Sequence, residues 1–168
     1  MNAKQIFSLL SGIVTLVATF FFTLFKFELA ENTYYVSGMY GIIRIFQMFL
    51  DPISMFYIMA VVILIIFMSS GVLQIIGVKA RLLTIVGSIL PLFFGIIILL
   101  DPFNLLNKSF IGILFMLGGK ESIIPDILPF VIPFDFVIFE RPESIGTYFL
   151  ILGGMIGLIS GLFERGEV

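Results

Sequence analysis

Hydrophobic positions along this chain gather into four runs, at residues 5–25, 53–78, 82–100 and 144–163, none of which holds a side chain charged at neutral pH. Each is long enough, at about 1.5 Å of rise per helical residue, to cross the roughly 30 Å hydrocarbon core of a bilayer. The pattern predicts an all-α integral membrane protein: a four-transmembrane-helix bundle forming a single membrane domain over residues 1–168. Between the runs lie two longer outward segments, 26–51 and 101–141, and one short turn, Val78-Lys79-Ala80-Arg81, which admits only an antiparallel hairpin of the second and third spans. The first run is too long for the apolar part of a secretory signal, and no small-residue cleavage pattern follows it, so it is expected to be a retained span.

Start and stop signals mark the same boundaries. Asp51-Pro52 supplies an N-cap carboxylate ahead of a proline at the first helical position, where the missing N–H costs nothing. Glu140, Arg141, Pro142 and Glu143 open the fourth span similarly, and Gly77 can close the second. Lys4, Lys79, Arg81 and Arg165 fall at short hydrophilic ends on one side. By the positive-inside rule a multi-pass protein of the cell membrane with both termini cytoplasmic is expected.

The outward segments then form a small extracytoplasmic cap. Residues 38–50 are mostly apolar, but Arg44, Gln47 and Asp51 recur at spacings of three and four, the signature of a short interfacial helix with one polar face. That face could meet a partner; as a rule such faces are merely solvated, and this is the favoured reading. Asp101-Pro102 repeats the helix-start signal, with Gly118-Gly119 as a stop. Residues 123–139 follow, apolar but broken by Pro125, Pro129 and Pro133, each costing about 3 kcal/mol inside a helix. An external cap is favoured over a re-entrant hairpin, which would draw Lys120 and Glu121 into the membrane at roughly 2.5 kcal/mol or more each. Residues 32–37 and 135–140 carry the Tyr, Val, Ile and Phe content of a short strand pairing between the two loops.

Within the spans the most specific pattern is Gly153, Gly157 and Gly161 at four-residue spacing, a GxxxG-type stripe that lets another helix approach closely. Ser8, Ser11, Gly12, Thr15, Thr19 and Thr23 form a small, polar face on the first span and make it the leading internal partner; a second subunit is the other candidate. Pro91, between Gly87 and Gly95, should kink the third span and free a carbonyl. A kink can serve gating, though it more often only adjusts packing.

Composition narrows the chemistry. Hydrophobic residues make up 60% of the chain and charged residues 12%, half the usual charged share, as lipid rather than water requires. The net charge of −2 offers nothing to a nucleic acid. With no Cys and no His, thiolate chemistry, the usual haem and zinc ligands and the commonest general base are all missing. The acids Asp51, Asp101, Asp126, Asp135, Glu140 and Glu143 lie at or beyond the predicted membrane surfaces. No catalytic, cofactor-binding or metal-ligating set is therefore expected. In outline the architecture is similar to tetraspanins and claudins, but it lacks their cysteine motifs, so no function carries over. The expected partners are the bilayer and other membrane protein subunits. The expected role is a non-catalytic accessory, assembly or interaction subunit of a membrane complex. The alternative is a small homo-oligomeric channel or transporter component with a re-entrant element in 102–139.

Overall fold

The computed structural model describes residues 3–29, 32–48, 55–100, 118–119 and 144–162. Five helices dominate the described residues: α1 (Ala3–Phe21), α2 (Gly38–Met48), α3 (Met55–Ile76), α4 (Arg81–Leu100) and α5 (Ile145–Leu162). Three of them, α1, α4 and α5, are long and apolar enough to cross a membrane, which by length and composition marks a membrane protein.

The four long helices pack in a ring, α1 against α3, α3 against α4, α4 against α5 and α5 against α1. Each turns most of its small and hydroxyl-bearing residues inward, Ser69 of α3 being an exposed exception. On α1 the buried set is Ser8, Ser11, Gly12, Thr15, Ala18 and Thr19, while Ile6, Leu10, Ile13 and Val17 face outward. On α4 it is Thr84, Gly87, Ser88, Pro91, Gly95 and Ile98, with Leu82, Val86, Ile89, Phe93 and Ile96 outside. This reverses the amphipathicity of a water-soluble bundle. It follows from a solvent that is itself apolar: hiding Leu or Ile gains nothing there, while close backbone contact and interhelical hydrogen bonds do.

The limits of α4 and the Gly77 end of α3 follow the sequence signals, the end of α1 does not, and the start signals at 51–52 and 140–143 lie outside the described residues. The first apolar run reaches residue 25, but α1 stops at Phe21. Leu24 N–H donates to Val36 O at 2.8 Å, and Phe25 already belongs to strand β1 (Phe25–Leu29). The aromatic and β-branched residues around Thr23 suit a strand as well as a helix, and the strand partner decides. At the far end of α3, Gly77 N–H donates to Leu73 O, and Val78, Lys79 and Ala80 each donate three residues back. That tightens the chain into the predicted α3–α4 hairpin.

Strand β1 pairs antiparallel with β2 (Asn32–Val36), from Phe25 opposite Val36 to Leu29 opposite Asn32. A two-residue strand β3 (Gly118–Gly119) joins the other edge of β2, against Tyr35 and Val36. A pairing between the two loops therefore exists, but it uses the glycines expected to end a helix; residues 135–140 lie outside the described residues. Helix α2 covers most of the expected 38–50 helix and packs on α1 and α3, where Gly38 sits against Thr19 O and Phe20. The expected helix over 102–117, the proline-interrupted segment 123–139 and the acids Asp51, Asp101, Asp126, Asp135, Glu140 and Glu143 lie outside the described residues.

Candidate functional site

The site forms around the one amide in the interior of the apolar runs. Gln74, near the end of α3, is fully buried at 0% exposure. Two neighbours on α1, a turn apart, donate to its side-chain carbonyl: Ser11 Oγ at 2.7 Å and Thr15 Oγ1 at 3.0 Å from Oε1. Ser8, one further turn back, donates to Gln74 O at 2.8 Å and lies 2.9 Å from Thr84 Oγ1 of α4, so the cluster also bridges the ring. Ser88 donates to Thr84 O at 2.6 Å.

The remaining bond explains why an amide is needed. Gln74 Nε2 donates to Gly87 O at 2.8 Å. In an uninterrupted helix that carbonyl would accept from the N–H four residues on, but position 91 is proline and has none. The carbonyl freed by Pro91 is thus capped from the neighbouring helix. Buried without a donor this carbonyl would cost about 1–3 kcal/mol, so the Gln74 amide meets a need that Pro91 creates. Leu, Ser or Thr at position 74 would lack either the donor or the reach. The freed carbonyl is legible in the sequence from Pro91. Its partner is not, because Gln74 carries no charge and its register against α4 is set only by packing.

Glycines let the helices come close enough for these bonds. A Cβ built on Gly87 would stand 2.6 Å from Ser70 O and 3.0 Å from Gln74 N, both backbone atoms of α3. Gly12 and Gly71 hold α1 and α3 together in the same way, with 2.8 Å from a Cβ on Gly12 to Gly71 O. Of the predicted stripe, Gly153 faces Thr15, Gly157 faces the hydroxyls of Ser11 and Ser88, and Gly161 faces Ile85. These three glycines therefore meet α1 and α4 of their own chain. Of the predicted polar face, Arg44 and Gln47 lie on α2, and Asp51 is outside the described residues.

At the sheet end of the bundle Leu24 O accepts from both Ser144 N–H (2.9 Å) and Thr147 Oγ1 (2.5 Å), tying α5 to the α1–β1 junction. Beside it Thr23 Oγ1 is buried with no hydrogen-bond partner among the described residues. Thr23→Val keeps the shape and removes the unpaired hydroxyl. It is expected to leave stability unchanged or raise it by about 1 kcal/mol, where loss of a bonded hydroxyl would lower it. Thermal unfolding of the purified variant in detergent measures the difference.

Among the described residues no group of acids could hold a metal ion. The arrangement binds and spaces helices through neutral hydroxyls, one amide and backbone carbonyls. No family model, curated protein or solved structure matches the chain.

Proposed function

We propose that the chain is a four-span, non-catalytic membrane subunit serving the assembly or interactions of a membrane complex, with α3 as its fourth span, both termini cytoplasmic and residues 26–51 and 101–141 forming an extracytoplasmic cap. The observation that carries this reading is the closed hydrogen bonding around Gln74. Ser11 and Thr15 donate to the same carbonyl oxygen, and Thr19 and Ser88 donate to the carbonyls of Thr15 and Thr84 within their own helices. Each of these four protons ends on an acceptor that has none to pass on, and the Ser8–Thr84 hydroxyl pair leads to the Gln74 carbonyl, which favours a role in holding helices together over one in relaying a proton.

Two further facts favour it. The apolar outer faces of all four long helices, α3 included (Ile58, Val62, Ile65, Ile66, Val72, Ile76), suit acyl chains. Bonds from Ser160 Oγ to Lys4 O and from Arg81 to the last carbonyls of α5 gather Lys4, Lys79 and Arg81 at one end, as a cytoplasmic rim requires.

Reconstitution tests the proposal. The purified protein in liposomes is expected to pass no ions or protons beyond protein-free vesicles. A single Cys introduced at Lys120 of this Cys-free chain should react with an impermeant thiol reagent from the extracytoplasmic side. Ion flux together with a protected Cys would replace this reading with the channel that has a re-entrant 102–139 element.

A further inference from the structure

We infer that α5 is a latched cover: it closes over a hydrogen-bonded unit of α1, α3 and α4 that is complete without it, and releasing its ends uncovers Ser11, Thr15 and Ser88. The inference is independent of the assembly role proposed above. It rests on where the bonds between helices fall.

The side-chain bonds of Gln74, and the Ser8 bonds to Gln74 O and Thr84, join α1, α3 and α4. From Phe149 to Ile159 helix α5 has no polar side chain; opposite the hydroxyls it presents backbone at Gly153 and Gly157, while Leu150 fills the apolar core beside Ala18 and Ile98. Its polar ties are confined to its two ends. At one, Ser160 Oγ donates to Lys4 O at 2.7 Å, while Arg81 donates from Nε to Gly161 O at 2.6 Å and from Nη2 to Leu162 O at 3.1 Å. The second of these places a cation on the negative end of the α5 dipole. At the other end, Leu24 O receives Ser144 N–H and Thr147 Oγ1.

Between these latches the face of α5 that lacks side chains roofs the hydroxyls. A Cβ on Gly153 would lie 2.6 Å from Thr15 Oγ1, and one on Gly157 would lie 2.6 Å from Ser11 Oγ and overlap Ser88 Oγ. Parting of α5 would break no bond of the Gln74 cluster. It would open three hydroxyls at mid-bundle.

The absence of native Cys allows a direct test on the full chain in liposomes. Ser88→Cys reports on the α5 cover, and Ser70→Cys, buried on α3 beside Gly87, reports on the α3–α4 seam. Both are labelled with a membrane-permeant maleimide, with and without the latch substitutions Arg81→Ala and Ser160→Ala. Release of the latches is expected to speed labelling at position 88 at least ten-fold and to leave position 70 unchanged. The milder single changes Arg81→Lys and Thr147→Val, each weakening one end, should shift position 88 in the same direction by a smaller factor. An unchanged rate at 88, or equal acceleration at 88 and 70, overturns the inference, since the bundle would then loosen as one body.

Discussion

Gln74→Leu is expected to destabilise the bundle by about 3 kcal/mol, and combining it with Pro91→Ala is expected to recover part of that loss. The single change removes three interhelical side-chain bonds, worth on average about 0.6 kcal/mol each in a membrane, and leaves the Gly87 carbonyl without a donor at about 1–3 kcal/mol. An alanine at position 91 restores the missing helical N–H, which then takes the Gly87 carbonyl itself. The need for the Gln74 amide disappears with the proline. In a double-mutant cycle the two changes should therefore couple by at least about 1 kcal/mol. Reversible unfolding in mixed micelles gives the four free energies; additivity within about 0.5 kcal/mol would mean that the amide and the proline act separately.

The second large effect is expected at Gly87. An added methyl there meets Ser70 O and Gln74 N, which belong to a helix backbone and cannot rotate away. Gly87→Ala must push α4 from α3, at about 1–3 kcal/mol for overpacking, and lengthens the Gln74–Gly87 bond as it does so. Gly157→Ala meets only side-chain atoms of Ser88 and Ser11, so a rotamer change absorbs part of the strain and the cost should be smaller. Unfolding of both variants under the same conditions orders them. A Gly157→Ala protein less stable than Gly87→Ala would place the critical seam at α5.

Much of this architecture is legible in the residues alone because lipid is an undemanding reader. Long uncharged runs must be helices, since only a helix satisfies its own backbone there. Hence α4 and α5 begin and end within a residue or so of the limits of their apolar runs. The polar stripe of α1 and the glycines of α5 could be read from their spacing. What they pack against could not, because pairing depends on register between helices distant in sequence. Gln74 escaped for a related reason. Scanning the runs for charge passes over a neutral amide, and only its position opposite Gly87 gives it a task. The end of α1 departs from its apolar run because Phe20, Phe21, Phe22 and Thr23 serve helix and strand alike until Val36 offers its carbonyl.

The inward placement of glycine, serine, threonine and a lone glutamine also decides what can dissolve this protein's structure. Dispersing its oily exterior in water would strand the outer residues, and the interior holds too few large side chains to drive collapse by itself. Moisture reaching the axis would compete for each hydroxyl contact in turn. Dryness of the surrounding medium is what keeps the four long helices shut.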